Sequence, residues 1–352
     1  MDLSIAAILA QDGITSGAIY ALLALGLVLV FSVTRVILIP QGEFVSYGAL
    51  TLATLESQKF PATCWLLVAL GAASFVVEAV AVLRGHRGHA SRHRALMGAT
   101  LRDLLFPLAV FGLAHLLAPR ADLPFWAQLA LTVAIVVPMG PFIYRLAFER
   151  VAQASTLVLL IVAVAVHLAL VGLGLLMFGA EGSRTASLTD ANLSVGGMSV
   201  SGQSLWVVAT ALALIVALYL FFGRTLTGKA LRATSINRLG AQLVGIGTTR
   251  AGRIAFTLAA ALGVLSGILV SPLTTIYYDG GFLIGLKGFV GAIIGGLVSY
   301  PVAAAGALLV GLLESYASFW ASAYKEVIVF ALIVPVLLWR SLSTPQIEES
   351  DE

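Results

Sequence analysis

The chain has 352 residues, of which 60% are hydrophobic and only 11% are charged, and its mean hydropathy is +1.02. A soluble domain carries about 25% charged residues, so this composition excludes a soluble globular protein. The formal net charge is +3. Because the basic residues are concentrated in short loops between apolar segments, this excess does not indicate a nucleic-acid partner.

Apolar segments recur along the whole chain, and most are long enough to cross about 30 Å of hydrocarbon as an α-helix. They are predicted at residues 13–34, 40–56, 63–83, 103–119, 125–147, 155–179, 204–223, 252–274, 284–299, 303–322 and 326–340. The sequence therefore predicts an all-α, polytopic integral membrane protein with about 9–11 transmembrane or re-entrant helices. One transmembrane domain is expected over residues 1–342, and residues 343–352 are expected to form a disordered acidic tail.

Two basic loops predict the orientation of the chain. The first loop lacks acidic residues and contains Arg84, Arg87, Arg92, Arg94 and Arg102. The second, Arg224–Arg253, contains six basic residues and no Asp or Glu. The positive-inside rule assigns both loops to the cytoplasm, which places the N-terminus outside and the C-terminus inside. Asp2 and Asp12 flank the start of the first segment. A cleaved signal peptide would carry basic residues there, so none is expected.

Two apolar segments contain residues that interrupt helices. One begins with Pro40-Gln41-Gly42-Glu43, and residues 285–301 contain five glycines before a proline. Glycine allows close helix contact, and glycine with proline also permits broken helices that line a pathway. We therefore predict a translocation pathway whose candidate residues are Gln41, Gly42, Glu43, Tyr47, Gly285, Lys287, Gly288, Gly291, Gly295 and Gly296.

Ionisable side chains inside apolar segments are costly and are candidates for function. Those in this chain are Glu43, Glu56, Glu78, His115, His167 and Glu314. Glu43 is the best pathway candidate because it follows the Pro-Gln-Gly interruption. For Glu314, a structural hydrogen bond between helices is the alternative, whereas Glu78 and His115 are expected to pair locally.

Motifs for bond chemistry are absent from the sequence. His86, His89 and His93 have a spacing that brings imidazoles together on a helix, but five arginines beside them would repel a cation. We therefore predict a basic loop that touches lipid headgroups, with no metal site. The sequence also lacks an H-E-x-x-H pair, a G-x-S-x-G elbow and a Walker A phosphate loop, so no catalytic residue and no cofactor are predicted.

Three segments resemble the permease subunits of branched-chain amino-acid type ABC importers, specifically the first of the two homologous permeases. They are GITSGAIYALLALGLVLVFSVTRVILIPQGEF at 13–44, GKALRATSINRLGAQLVGIG at 228–247, and GGFLIGLKGFVGAIIGGLVSYPVAAAGALLVGLLE at 280–314. The resemblance covers residues 1–60 and 140–340. Residues 61–121 fit the family poorly, and we interpret them as an inserted helical hairpin.

The resemblance implies an importer of the bacterial inner membrane, with several partner subunits. Two ABC ATPases would bind ATP and dock on the cytoplasmic loops, a second homologous permease would complete the path, and a periplasmic binding protein would deliver the solute. Residues 224–253 would then contain the ATPase-coupling helix. Its candidate docking residues are Lys229, Ala230, Leu231, Arg232, Arg238, Leu243, Val244, Gly245 and Ile246. Gly245 is expected to permit the turn that ends this helix.

The chain departs from the family at two of these motifs. The family commonly has Asn-Phe-Ala-His-Gly where this chain has Leu38-Ile-Pro-Gln-Gly42, and Arg-Glu-Ala-Ala-Arg where it has Arg238-Leu-Gly-Ala-Gln242. The alternatives to a branched-chain amino-acid importer are the same architecture for urea, amides or other amino acids, a secondary transporter driven by protons, and an integral-membrane enzyme acting on lipid headgroups.

Overall fold

A computed structural model describes residues 3–84, 89–120, 123–189, 191–195 and 198–343. Its helices are α1 Leu3–Thr34, α2 Gln41–Glu56, α3 Thr63–Arg84, α4 His89–Ala99, α5 Phe106–Leu117, α6 Phe125–Val136, α7 Met139–Ile143, α8 Thr156–Phe178, α9 Gly202–Arg224, α10 Leu226–Ile236, α11 Arg238–Leu243, α12 Thr248–Val270, α13 Gly280–Ile294, α14 Tyr300–Trp320, α15 Lys325–Ala331 and α16 Ile333–Ser343. Strands β1 Asn192–Val195 and β2 Met198–Ser201 form an antiparallel hairpin. The all-α prediction is confirmed, and the hairpin is the one pair of strands among the described residues.

Nine helical segments of the described residues are long and apolar enough to cross a membrane. They are Ser4–Thr34, Thr63–Arg84, Leu96–Leu117, Phe125–Val151, Thr156–Phe178, Gly202–Arg224, Thr248–Val270, Tyr300–Trp320 and Ser322–Trp339. Two of the predicted spans, 40–56 and 284–299, instead correspond to the short helices α2 and α13, which have 16 and 15 residues. The prediction of nine to eleven transmembrane or re-entrant helices is therefore confirmed by nine full-length segments and two short helices.

Contacts between helices define two opposite faces of the bundle. At one end, the hydroxyl of Ser315 donates a hydrogen bond of 2.7 Å to the carbonyl of Leu9, near the start of α1. At the other end, the hydroxyls of Ser32 and Tyr300 lie 3.4 Å apart. Helices α1 and α14 are thus antiparallel. We call the end where α1 starts the N-terminal face and the end where α1 finishes the basic face, because α10 and α11 lie there. Which face meets the cytoplasm stays a prediction.

Helix α2 starts inside the bundle. Between α1 and α2 the chain is not helical, yet Val36 is 1% exposed and Leu38 is fully buried. The chain therefore enters the bundle as a buried, non-helical segment before α2 begins. Helix α2 then runs parallel to α12, because Gln41 contacts Ala259 and the later residue Val45 contacts Gly267.

The predicted hairpin contains α3, α4 and α5, with a π-helical segment at Thr100–Leu105. It is joined to the rest of the bundle by a buried ion network. The guanidinium of Arg145, which lies beyond α7 in a second π-helical segment, pairs with Asp103 and lies 2.6 Å from Glu78. Arg102 pairs with the same two carboxylates. Glu78 therefore pairs inside the hairpin, as predicted, and also outside it.

Candidate functional site

The short helices α2 and α13 meet at their N-terminal ends, and we call this contact the α2–α13 junction. Gly42 and Gly281 pack so closely that a Cβ atom on either residue would overlap the carbonyl oxygen of the other. The hydroxyl of Ser46 accepts a hydrogen bond of 2.8 Å from the backbone N–H of Gly281 and donates one of 3.1 Å to the carbonyl of Tyr277. Glycine is required at both positions because the two helix backbones touch directly and leave no space for a side chain.

Gln41 and Glu43 place unpaired acceptors at this junction. The Gln41 amide donates a hydrogen bond of 2.9 Å to the carbonyl of Ala259, while its Oε1 atom has no partner among the described residues. Glu43 is 1% exposed, and its Oε2 atom likewise has no partner within the described residues. Buried acceptors are normally satisfied by protein or by water. Both residues are therefore positioned to accept a further hydrogen bond.

The other oxygen of Glu43 is paired across the bundle. Glu43 Oε1 lies 2.7 Å from Nδ1 of His167 on α8, and the imidazole stacks on the ring of Phe282 at 4.4 Å between centroids. One turn further along α2, the Tyr47 hydroxyl donates a hydrogen bond of 2.6 Å to the carbonyl of Leu170. Three helices thus meet around Glu43. The sequence indicated Glu43 and His167 as separate candidates, but not their pairing.

Lys287 lies in an ion cluster toward the N-terminal face. Its Nζ atom lies 2.6 Å from Glu314 and 3.1 Å from Glu326, and Glu314 also accepts a hydrogen bond from the hydroxyl of Tyr20. The cluster joins α1, α13, α14 and the start of α15. One ammonium group faces two carboxylates, so ionised side chains would give a net charge of −1 (1 − 2). Glu314 thus forms the structural contact between helices that was the alternative to a pathway role.

The glycines of α13 differ in what they contact. Gly285 faces Gly42, where an added Cβ atom would lie 3.0 Å from the Gly42 Cα. Three other glycines let neighbouring helices approach closely: Gly288 at Leu23 of α1, Gly291 at Ala307 of α14, and Gly295 at Ala303 of α14. Gly296 follows the helix with φ 65°, a left-handed conformation in the turn toward α14. Gly285 therefore belongs to the junction, whereas the other glycines pack or turn the chain.

The predicted coupling segment forms two short helices, α10 and α11, instead of one. The Asn237 side chain separates them, because its Oδ1 atom accepts a hydrogen bond of 2.8 Å from the N–H of Gly240 and caps α11. Helix α11 ends at Leu243, and Gly245 adopts φ 87°, as expected of the residue that permits this turn. Ile246 then donates its N–H to the carbonyl of Ala241 at 2.9 Å.

The candidate docking residues are not equally available to a partner. Leu231 is 1% exposed and packs inside the chain, and Ala230 and Ile246 are half-buried. Leu243 and Val244 are 81% and 76% exposed and form an apolar surface. Their basic neighbours Lys229 and Arg232 are exposed. Arg238 is turned back onto the chain, where it donates a hydrogen bond of 2.9 Å to the carbonyl of Ala152. Any docking surface is thus centred on Leu243, Val244 and Arg232.

Some predicted features lie outside the described residues. These are His86, Arg87 and the acidic tail from residue 344 onward, and the side chains of His89 and Arg92 are also not described. Within the described residues, no group of three or more His, Cys, Asp or Glu side chains is placed to hold a metal ion. The remaining basic-loop residue with a described imidazole, His93, is exposed.

The described residues contain nine segments that are long and apolar enough to cross a membrane, two short helices that meet inside the bundle, and two basic helices on one face. This arrangement is typical of a polytopic membrane permease. The family described as the permease component of branched-chain amino acid transport systems matches residues 95–337, more than half of the chain. The chain therefore belongs to this family. It is a permease subunit of an ABC transport system and a multi-pass protein of the inner membrane.

Several characterised permeases are similar along most of their length. The high-affinity branched-chain amino acid transport system permease protein LivH of Escherichia coli (strain K12) is 27% identical over 354 residues, which cover 96% of both chains. LivH of Salmonella typhimurium has the same identity and coverage. The permease protein BraD of Pseudomonas aeruginosa is 27% identical over 252 residues, covering 69% of this chain and 82% of BraD. No solved structure matches.

Proposed function

We propose that this chain forms part of the translocation path of an ABC importer for branched-chain amino acids or related small solutes. The α2–α13 junction carries the proposal. Helix α2 begins inside the bundle, and its N-terminal end meets that of α13. Transporters use helix N-termini and irregular backbone within the membrane to bind solutes. The similar permeases named above are described as serving branched-chain amino acids, which favours the same class of solute here.

The chemistry of the junction fits a small zwitterion with an apolar side chain. An ammonium group needs acceptors, and Gln41 Oε1 and Glu43 Oε2 are the buried acceptors that lack partners among the described residues. An aliphatic side chain needs apolar neighbours, and Phe282, which stacks on His167, supplies an apolar ring beside Glu43. In this proposal, Gln41, Glu43 and Tyr47 lie along the path, and a second homologous permease completes its wall.

Energy for transport would come from separate subunits. Two ABC ATPases would bind ATP and dock on α10 and α11, where Leu243 and Val244 supply apolar contacts and Arg232 supplies charge. ATPase closure would push these helices as a rigid body and alternate the access of the path. A periplasmic binding protein would deliver the solute to the N-terminal face. This chain would contribute no bond chemistry.

Subunit association tests this division of labour. The chain would be co-expressed with a candidate second permease and two candidate ABC ATPases, and the complex would be purified in a mild detergent. We expect the ATPases to co-purify and ATP hydrolysis to rise severalfold when leucine-loaded binding protein is added. A chain that purifies without ATPases, or hydrolysis that does not respond to the loaded binding protein, would contradict the proposal.

A further inference from the structure

A cavity lies on the basic face, and no residue of α2 or α13 lines it. Its volume is about 520 Å³. It lies between the π-helical segment that leads into α5, the turn into α7 and the start of α12. Four arginines line it: Arg102, Arg145, Arg250 and Arg253. We call it the arginine cavity. Four guanidinium groups around one space at a helix boundary are unusual in a chain with only 11% charged residues.

The charges around the arginine cavity do not cancel. Arg102 and Arg145 share the carboxylates of Glu78 and Asp103, and Arg253 binds Glu149 through hydrogen bonds of 2.8 to 3.0 Å. Arg250 is exposed and has no hydrogen bond or ion pair to any described residue. Four arginines against three carboxylates leave a net charge of +1 (4 − 3). The guanidinium of Arg250 is therefore free to bind an anion.

Apart from Asp103 and Thr257, the rest of the wall is apolar. Phe106 and Leu101 line the cavity and are 43% and 65% exposed. Both belong to the segment Leu96–Leu117, which is long and apolar enough to cross a membrane. Ile254 and Phe142 line the cavity from α12 and α7. An occupant that fills this space must combine an anionic group with an apolar chain.

We propose that the arginine cavity binds an anionic phospholipid, with its phosphate at Arg250 and an acyl chain along Leu101 and Phe106. Basic pockets between transmembrane helices bind such headgroups, and the guanidinium fork matches two phosphate oxygens. A soluble ATPase is a poorer fit, because Leu101 and Phe106 belong to a segment that is apolar enough to cross a membrane, which a lipid chain can cover. The bound lipid would link the hairpin, through Arg102, to α12, which packs along α2. This proposal does not depend on the identity of the transported solute.

Lipid titration of the purified full-length chain tests the proposal. The chain would be stripped of lipid in a neutral detergent and titrated with dioleoyl phosphatidylglycerol or dioleoyl phosphatidylcholine, and binding would be measured by native mass spectrometry. We expect phosphatidylglycerol to bind more tightly. Arg250→Gln should weaken that binding about fivefold, the equivalent of about 1 kcal/mol for one arginine near an anionic surface. Arg250 has no protein partner among the described residues, so the variant should unfold at the wild-type temperature in the absence of lipid.

The control variant is Arg224→Gln, which removes another exposed arginine on the basic face but lies outside the cavity. It should leave phosphatidylglycerol binding unchanged. Equal losses in the two variants would mean diffuse attraction to the surface and would overturn the proposal. Equal affinity for the two lipids would also overturn it, as would displacement of the lipid by millimolar inorganic phosphate, which indicates a free-anion site. Loss of ATPase association in Arg250→Gln with unchanged lipid binding would assign the cavity to a protein partner instead.

Discussion

Gly42 and Gly281 contact each other through their backbones at the point where two short helices begin. Neither residue has space for a Cβ atom, because the carbonyl oxygen of the other residue occupies its position. This contact fixes the start of α2 against the start of α13. It thereby sets the positions of the unpaired acceptors on Gln41 and Glu43.

Gly42→Ala should disrupt the α2–α13 junction. The added methyl group overlaps the backbone of α13, which a rotamer change cannot relieve, so we expect a destabilisation of about 1–3 kcal/mol and loss of solute uptake. Thermal unfolding of the purified chain measures the first effect. Gly172→Ala on α8 is the matched control, since its added methyl group meets nothing within 4 Å. That variant should be at least as stable as the wild type, because alanine favours the helix. Equal stability of the two variants would show that α2 and α13 can move apart at the junction without loss of stability.

Glu43→Gln distinguishes an ATP-driven path from a proton-driven one. The amide can keep the hydrogen bond to His167 across the 2.7 Å contact, but it cannot carry a proton. We expect ATP-dependent uptake to persist within about threefold of the wild type, which corresponds to under 1 kcal/mol in the barrier. Glu43→Ala, which leaves His167 without this partner, should lose more. Loss of uptake in Glu43→Gln, together with loss of wild-type uptake when a protonophore is added, would favour the secondary transporter.

Lys287→Met should be among the more destabilising single changes in the membrane. It leaves Glu314 facing Glu326 without the ammonium group, and removing one partner of a buried ion pair costs about 3–5 kcal/mol. Because Glu326 is 38% exposed, we expect the lower end of that range, about 3 kcal/mol. Lys59→Met changes an exposed lysine and is the control. The double variant Lys287→Met with Glu314→Gln should recover part of the stability, and a purely additive loss would argue against the ion cluster.

Val244→Glu tests the apolar surface of the coupling segment. Val244 is 76% exposed, so the variant should fold normally, but a carboxylate at an apolar contact should prevent ATPase docking and abolish uptake. Co-purification of the ATPase subunits is the direct measurement. Arg224→Glu, on the same face but outside α10 and α11, should retain them. Normal association and transport in Val244→Glu would contradict docking at this surface.

The membrane fold could be predicted from the sequence because it depends on long apolar runs. Those runs predicted every full-length segment, and the interruption at Pro40–Glu43 indicated a broken helix. The depth at which α2 starts could not be predicted, because residues 35–39 lie between two predicted spans and read as a short surface loop, although Val36 and Leu38 are buried. The burial of Leu231 could not be predicted either, because the sequence of a basic loop does not distinguish a buried leucine from an exposed docking residue.

Pairings between distant residues were the least accessible from the sequence. His167 lies 124 positions after Glu43, and their contact depends on the packing of α8 against α2. Arg145 was not predicted to have a function, because one basic residue at the end of a span is typical of the membrane boundary. Its ion pair with Asp103 arises only when the hairpin folds against α7. Periodicity and composition carry no information about such contacts.

Solute uptake into proteoliposomes measures transport by the assembled importer. This chain would be reconstituted with the second permease and the two ATPases, with binding protein and radiolabelled leucine on one side and ATP on the other. We expect leucine accumulation that requires ATP, the ATPases and the binding protein together, and that is lost in Gly42→Ala but retained in Gly172→Ala. Leucine accumulation by this chain alone, without ATPases, would contradict this expectation.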